Sequence, residues 1–338
     1  MDFTLTDEQQ LLRDTARTLL AKECPPALVR AHIDDPSAAD DLWASLADFA
    51  ALGGGPLTDL CLFTAETGYV AAPGPFFATT ALFAPLLSAL DHELAPTALA
   101  GETTGTVALA DADGVWQPNG EPVKHFVPEA DGVEWVAVVD ASPAVRVVPA
   151  EGLPCRLLGT VDWSRRLFEV DTTALDGPSQ PVDSAALDAT VRRATVALAA
   201  EQVGTARRLF DMALEYAKQR VQFDVPIGSF QAIQHKLANV SLAVERADSA
   251  AQYAAMVIDA DHDDARRAAH VAKSAAGIAA TQSAKDSIQV HGGIGYTWEH
   301  DLHLYLRRAY GSAPWLGSVD WHHDRLADLL LASTDGPA

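Results

Sequence analysis

Two segments in the C-terminal half of the chain carry residues whose types and spacing could bind a phosphorylated ligand. The first runs from Arg220 to Gln231 and reads RVQFDVPIGSFQ, and the second runs from Gln289 to Tyr296 and reads QVHGGIGY. An arginine guanidinium can pair with two phosphate oxygens at once. Glycine permits positive φ and lets the backbone approach a ligand closely, so that exposed N–H groups also bind an anion. Together the two segments predict a clamp for a pyrophosphate group.

Each segment also has a purely structural explanation. A basic residue at the end of a helix, followed by proline and glycine, is common helix termination. The run from Gln289 to Gly293 could be a Schellman cap that binds no ligand. Taken one at a time, the segments leave both explanations open.

Composition and charge exclude several classes of function. The chain has 338 residues, 49% of them hydrophobic, and a formal net charge of −22, which disfavours binding to nucleic acid or anionic membranes. Three cysteines without a CxxC spacing argue against a disulfide framework or a zinc site, and no metal site is predicted. The N-terminus lacks the pattern of a secretory signal, and no apolar stretch is long enough to span a bilayer. We therefore expect a cytoplasmic protein.

The elements that must position the two segments follow from helical and strand-like patterns. Thr6 to Gln9 reads as a capping box ahead of a first helix, which we expect Pro25 and Pro26 to stop. Short Val-rich stretches between turn residues predict strands in the middle of the chain. The further predicted helices are 39–50, 57–70, 79–90, 187–222, 230–260, 264–291, 299–310 and 319–331, and the predicted strands are 106–110, 133–140, 144–149 and 165–171.

The fold class predicted from this order is α+β, mainly α. We expect a helical N-terminal domain over residues 1–100, a small β-sheet domain over 101–180 and a C-terminal helical bundle over 181–338. The many alanines of the last region favour close helix packing of the kind found in bundles.

In this order and on these helices, the motifs resemble those of the acyl-CoA dehydrogenases. Arg220 to Gln231 is similar to the family's RxxFGxPIxxFQ segment, and Gln289 to Tyr296 is similar to its QxxGGxGY segment. The stretch 298–309 (WEHDLHLYLRRA) resembles the one that follows in the family, and 3–20 (FTLTDEQQLLRDTARTLL) resembles its opening helix. The likeness is strong in the C-terminal region, fair at the N-terminus and weak in the middle.

The resemblance implies a helical domain, a β domain and a four-helix bundle, with FAD bound between subunits. It implies an acyl-CoA substrate and a dimer or a dimer of dimers. It also implies that two sets of residues contact FAD: Arg220, Gln222, Phe223, Phe230 and Gln231 on a neighbour's cofactor, and Gln289, Gly292 and Gly293 on the same cofactor.

The catalytic base that the resemblance requires is missing. The family's reaction removes a proton from the acyl α-carbon, and a carboxylate must act as the general base. The stretch in which the family often carries this glutamate reads Tyr310 to Leu316 here and contains no acid. A second family location falls on Ala194. Glu201 is about two helical turns too far along, so we expect a buried or interhelical polar residue, and we expect Glu215 to be solvated.

The middle region also departs from the family. The family's Thr-Glu-Pro and Gly-Ser-Asp loop, which contacts the flavin and the thioester, has no counterpart around Val107 to Val115. Lys124 to Val127 resembles the segment that elsewhere carries a flavin-stacking tryptophan, with Phe126 near that place.

Three functional hypotheses remain. The first is the non-catalytic half of a heteromeric acyl-CoA dehydrogenase that completes a partner's FAD site, similar to actinobacterial α2β2 enzymes acting on steroid side-chain thioesters. The second is a self-sufficient homo-oligomeric acyl-CoA dehydrogenase with an unlocated base. The third, from another class, is a helical scaffold without flavin chemistry. The missing carboxylates favour the first hypothesis over the second, and the retained arginine clamp favours it over the third.

Overall fold

The computed structural model describes residues 3–334. In this range the chain forms helices, then strands, then helices again, in agreement with the predicted α+β, mainly α class. The helices are α1 (Asp7–Glu23), α2 (Pro26–Asp34), α3 (Asp40–Leu46), α4 (Leu57–Val70), α5 (Ala84–Ala89), α6 (Ala95–Leu99), α7 (Ser184–Gln219), α8 (Gln231–Asp259), α9 (Ala265–His291), α10 (Leu302–Ser312) and α11 (Val319–Thr334). A π-helical segment, Ala78–Phe83, leads into α5.

The strands form two small sheets and one hairpin. They are β1 (Gly105–Ala108), β2 (Val123–Pro128), β3 (Trp135–Val139), β4 (Ala144–Pro149), β5 (Cys155–Leu157), β6 (Leu167–Asp171), β7 (Gln180–Pro181), β8 (Val221–Gln222) and β9 (Val225–Pro226). The first sheet has the order β1-β3-β4-β7, in which only the β1–β3 pairing is parallel. The second is antiparallel with the order β2-β6-β5, and β8 pairs with β9.

The side chains of β3 alternate between two hydrophobic cores. Val136 and Val138 belong to the smaller core, which lies between the two sheets, whereas Ala137 and Val139 belong to the large core formed mainly by the helices. This is the period-2 alternation of a strand that is buried on both faces. The β1-β3-β4-β7 sheet is thereby fixed against the helices.

Glycines set the closest helix crossing. A Cβ on Gly204 of α7 would lie 1.8 Å from the carbonyl oxygen of Ala65 on α4, and a Cβ on Gly68 of α4 would lie 2.0 Å from that of Glu201. No other residue type fits at either position without moving a backbone. The crossing brings α4 onto the middle of α7, where Glu201 is buried.

Most predicted elements are confirmed, with differences at their ends. α4 and β4 have the predicted bounds, and Thr6 forms both hydrogen bonds of the capping box. α1 ends at Glu23, but Pro26 begins α2, because proline is well accommodated at the first position of a helix. The helix predicted to reach residue 222 ends at Gln219, since the next residues pair as β8. Five strands, β2, β5, β7, β8 and β9, were not predicted.

Two expectations concern absences. Among the described residues, no helix is long and apolar enough to cross a membrane. No group of three or more His, Cys, Asp or Glu side chains in residues 3–334 is arranged to hold a metal ion.

Candidate functional site

The first predicted segment forms a tight hairpin between the two longest helices. α7 ends at Gln219, β8 and β9 follow, and α8 begins at Gln231. The two residues at the tip, Phe223 and Asp224, have φ angles of 53° and 63°. Positive φ at both central residues is the requirement of a type I′ turn, which normally selects asparagine and glycine. A phenylalanine in this conformation is strained, and such strain is found where a side chain must be presented to a ligand.

The side chains of this hairpin are turned outward. Phe223 is 87% exposed, and its ring meets that of Phe230 edge to face at 6.2 Å. Arg220 and Gln231 are also exposed, and neither side chain has a hydrogen bond or ion pair within the described residues. Gln222 bonds only to its neighbour's carbonyl oxygen, at 2.8 Å. The segment therefore presents an unpaired guanidinium and two partly or fully exposed aromatic rings on the outside of the bundle.

The second predicted segment is the C-terminus of α9 and the turn behind it. Gly292 has φ of 60° and ψ of −138°, which confirms that glycine is needed there, and a Cβ on Gly292 or Gly293 would meet nothing within 4 Å. Gln289 and Gly293 are exposed. The orientation leaves open space in front of the glycine backbone, into which a ligand can approach.

The fold brings the two segments to the same end of the bundle. Their helices, α7 and α9, run in the same direction, and the ring of Tyr216 stacks on that of His291 at 4.5 Å between centroids. The ammonium of Lys236, in the second turn of α8, lies 2.9 Å from the carboxylate of Asp286 near the end of α9. Arg220, Phe223, Gln289 and Gly293 thus belong to one end of the molecule, as a shared ligand requires.

Buried apolar residues anchor both positions expected for the general base, although Tyr310 in the second is 45% exposed. Ala194 has no exposed surface, and the Tyr310 to Leu316 stretch is anchored by Trp315, which is 5% exposed. The Trp315 ring packs against Phe77 at 5.3 Å and against Trp116 at 5.9 Å. Neither position carries a carboxylate, and aromatic side chains occupy the space beside the second.

Glu201 is confirmed as a buried, interhelical residue. It is 1% exposed, and its carboxylate accepts hydrogen bonds from Arg165 at 2.5 and 2.7 Å and from Arg308 at 3.3 Å. Arg308 also donates to Asp162 at 2.6 Å. The two guanidinium groups balance the negative charge of this buried carboxylate, so Glu201 is an ion-pair partner inside the bundle. Glu215 is exposed, as expected.

A small cavity lies beside Phe126, the residue that stands near the place of the family's flavin-stacking tryptophan. Phe126 sits at a bulge in β2 with φ of 55° and lines a cavity of about 270 Å³. Trp116, Arg165 and Trp315 form other parts of its wall. This volume falls just below the range of ordinary small-molecule sites. Such sites hold much smaller ligands than a flavin dinucleotide, so the cavity cannot enclose FAD.

Sequence patterns did not reveal the partners of Glu201. Arg165 and Arg308 are separated from Glu201 by 36 and 107 positions, and Arg308 is 146 positions from its other partner, Asp162. The one local signal that could have indicated them is the charged run from Asp162 to Arg166, which overlaps the start of the predicted strand 165–171.

Comparison with known proteins gives extensive matches. The family described as "Acyl-CoA dehydrogenase, C-terminal domain" matches residues 186–331. The acyl-CoA dehydrogenase IpdE2 of Mycobacterium tuberculosis is 35% identical over 330 residues, covering 94% of this chain and 95% of that protein. The acyl-CoA dehydrogenase FadE34 of the same organism is 36% identical over 359 residues, covering 94% of this chain but 47% of that protein.

Solved structures agree with these matches. A chain of the ChsE4-ChsE5 complex from Mycobacterium tuberculosis superposes with a TM-score of 0.88 at 25% identity, and all of both chains is covered. A chain of the Tcur3481-Tcur3483 steroid ACAD superposes with a TM-score of 0.85 at 27% identity, covering 98% of this chain and 99% of that one. The residues that suggested the resemblance, the order of the elements and a full-length relative at 35% identity all lead to one conclusion: this chain belongs to the acyl-CoA dehydrogenase family of oxidoreductases acting on acyl-CoA thioesters.

Proposed function

We propose that this chain is the non-catalytic half of a heteromeric, FAD-dependent acyl-CoA dehydrogenase. In this proposal the chain completes an FAD site of a partner subunit, and the partner supplies the general base for α,β-dehydrogenation of an acyl-CoA thioester. Two copies of each subunit would form an α2β2 assembly.

One contrast carries the proposal. The FAD-contact positions are outward-facing and unpaired, whereas the positions for the base hold Ala194 and a tryptophan-packed stretch without an acid. A self-sufficient enzyme needs both sets of residues, and a scaffold needs neither. The FAD-contact residues without the base are accounted for only if this subunit contributes contacts to a site in which another chain performs the chemistry.

The relatives support a paired arrangement. ChsE4-ChsE5 is a complex, and the steroid ACAD Tcur3481-Tcur3483 is likewise named for two components. FadE34 is about twice as long as the part that this chain matches, as expected for two such halves joined in one polypeptide. These neighbours also suggest a steroid-derived or similarly bulky acyl group as the substrate class.

The residues at the end of the bundle fit the pyrophosphate and adenosine portions of FAD. Arg220 would pair with phosphate oxygens, Phe223 and Phe230 would cover an apolar face, and Gln222, Gln231 and Gln289 would supply amide hydrogen bonds. Gly292 and Gly293 would let the backbone approach the dinucleotide. When bound, FAD supplies the acceptor for the hydride that leaves the acyl β-carbon. The role of this chain is to hold and orient the cofactor.

Expression of the chain alone and together with candidate partner subunits tests the proposal. We expect colourless protein from the chain alone, and a yellow complex that oxidises acyl-CoA from co-expression, measured by flavin absorbance and by dye reduction. Yellow protein that is active without a partner would refute the heteromeric arrangement and favour a self-sufficient enzyme. An active complex that contains one FAD for every subunit, this chain included, would also contradict it.

A matched pair of variants tests the clamp within the complex. Arg220→Ala is expected to lower the FAD content or raise the Kd for FAD at least tenfold, because a charge-assisted bidentate contact is lost. The control is Arg246→Ala, which removes an arginine that is also exposed and without an ion pair in the described structure, about 15 residues into α8. Gel filtration checks that both variants still assemble. An unchanged FAD affinity in Arg220→Ala would remove the clamp from the proposal.

A further inference from the structure

A second cavity lies where α7, α9 and the start of α11 meet the loop that follows β1. Its volume is about 290 Å³, and three arginines on three different helices line it: Arg192 on α7, Arg266 on α9 and Arg325 on α11. Thr195 and Leu316 line it as well, so it adjoins both positions expected for the missing base. In a chain with 46 acidic and 24 basic residues, a convergence of three arginines on one cavity is unusual.

Two of these arginines have no counter-charge. Arg192 is half-buried, its Nε atom is buried without a hydrogen-bond partner, and no ion pair engages its guanidinium within residues 3–334. Asp188 precedes it by four positions, the spacing of a helical ion pair, yet no such pair forms. Arg266 is likewise unpaired in the described structure. A buried guanidinium nitrogen without a partner is costly, and a bound anion would satisfy it.

The unpaired positive charge of the cavity lies at Arg192 and Arg266. Arg325 pairs at 3.0 Å with Asp328 on its own helix, and Asp113 and Asp188 lie exposed at the rim. The three arginines and two aspartates of the lining sum to +1, and Asp328 lowers the total to zero, but both rim aspartates are exposed whereas the Nε atom of Arg192 is buried. The N-terminal turns of α9 and α11 also face the cavity, and their partial positive charges act in the same direction.

Two neutral histidines form one wall. His322 lies 3.0 Å from the carbonyl oxygen of Leu316 through Nε2, so Nε2 donates and Nδ1 is left as an acceptor. His270 Nδ1 lies 2.8 Å from that Nδ1 and therefore donates to it, which leaves His270 Nε2 as an acceptor. Burial and the three arginines lower the pKa of His270 to about 4. At neutral pH both histidines are therefore uncharged, and the direction of each of the two hydrogen bonds is fixed. The positive charge of the cavity comes from the arginines.

We propose that this cavity binds the phosphoryl group of a small-molecule ligand. Guanidinium groups contributed by three helices, that of Arg192 half-buried and those of Arg266 and Arg325 exposed at the opening, match the several oxygens and the double charge of a phosphoryl group better than those of a single carboxylate. Trp116 and Trp321 add flat apolar surface for the group that carries the phosphate. The site goes beyond the proposed FAD contacts, because Arg266 is separated from Gln289 by about 35 Å along α9.

The source of the phosphoryl group is distinguished by calorimetric titration of the full chain at constant ionic strength. Inorganic pyrophosphate, CoA and 3′-dephospho-CoA are compared with succinate, a dicarboxylate of the same charge sign. We expect saturable binding of pyrophosphate, of CoA or of both, at one site per chain, and no binding of succinate. Binding of CoA alone identifies a CoA thioester as the source, a loss with 3′-dephospho-CoA assigns its 3′-phosphate, and binding of pyrophosphate alone identifies a free phosphate compound.

Variants place the binding in this cavity. Arg192→Gln, Arg266→Gln and Arg325→Gln are each expected to weaken it at least tenfold, whereas Arg246→Gln leaves it unchanged. Because Arg220→Ala affects only the FAD clamp, it also leaves this binding unchanged, so the two proposals fail independently. Thermal melting identifies any variant that does not fold, and the variants of the other two arginines then test the proposal.

Three outcomes would overturn the proposal: no saturable binding of any phosphoryl compound, equal binding of succinate, or binding that survives loss of the cavity arginines.

Discussion

Arg308 connects the parts of the molecule that precede and follow the sheets, and its removal is the sharpest test of how the fold is held together. The side chain is 1% exposed and donates to Asp162 at 2.6 Å, to Ser164 at 3.0 Å and to Glu201 at 3.3 Å. It also donates to the carbonyl oxygens of Ala71 and Ala72 at the end of α4, at 3.3 and 3.1 Å. One guanidinium therefore joins α4, α7, α10 and the segment before β6.

The substitution Arg308→Met keeps most of the apolar stem and removes every one of these bonds. Asp162 is then buried without its cation, and Glu201 keeps only Arg165. Breaking a buried ion pair from one side costs about 3 to 5 kcal/mol, because the remaining charge is left uncompensated. A chain of 338 residues has an unfolding entropy of about 0.7 kcal/mol per kelvin, so this loss corresponds to a fall in Tm of about 4 to 7 °C.

Arg156→Met is the matched control. Arg156 pairs with Glu169 across β5 and β6, but its side chain is 69% exposed, and surface ion pairs contribute about 0 to 1 kcal/mol. The same substitution there should lower Tm by less than about 2 °C. Differential scanning calorimetry at neutral pH measures both variants. If the two substitutions lower Tm equally, or if Arg308→Met lowers it by less than about 2 °C, the buried network does not hold these elements together. Adding Asp162→Asn to Arg308→Met should recover part of the loss, since it removes the uncompensated charge.

Three further substitutions test other features. Burial raises the pKa of Glu129 from 4.5 to about 7, so this carboxyl group holds its proton to higher pH in the folded state than in the unfolded state. The stability of wild type should therefore fall by about 3 kcal/mol relative to that of Glu129→Gln as the pH rises from about 4.5 to about 8. Parallel curves of Tm against pH for the two proteins would contradict this. Asp224→Gly should raise Tm by about 1 °C by relieving positive φ at the hairpin tip, and a decrease would show that the aspartate stabilises the turn. Gly204→Ala, which would place a Cβ 1.8 Å from the carbonyl oxygen of Ala65, should cost at least about 3 kcal/mol. Soluble yield and Tm are compared with those of Gly159→Ala, a position with open space and no positive φ, and equal stability would mean that α4 and α7 can separate.

Sequence patterns were sufficient for what depends on neighbouring residues. The bounds of α4, the capping box at Thr6 and the positive φ of Gly292 follow from local spacing and from the geometry of individual residue types. The burial of Glu201 was also predicted correctly, and the structure shows why: every residue of α7 from Ala194 to Ala206 is buried, so this part of the helix has no solvent-facing side.

What depends on distant parts of the chain could not be predicted. The partners of Glu201 come from the segment before β6 and from α10, and no local pattern links Arg165 or Arg308 to α7. The strands β5 and β7 are three and two residues long and exposed, so they carry no alternation of apolar and polar residues. The cavity arginines were missed for a similar reason: each is an ordinary surface residue of its own helix, and only the packing of three helices makes them neighbours.

The exposed hairpin itself argues for a partner. Phe223 is 87% exposed and occupies a conformation that disfavours bulky residues, so in an isolated subunit it would bring strain without burial. A serine at that position would relieve the apolar exposure at no cost to the core, because the ring is 87% exposed and belongs to no buried cluster of the described residues. We therefore expect Phe223→Ser to leave the Tm of the isolated chain unchanged within about 1 °C while weakening FAD binding by the complex. A drop in the stability of the isolated chain, with FAD affinity intact, would instead make the aromatic pair a structural feature of the hairpin.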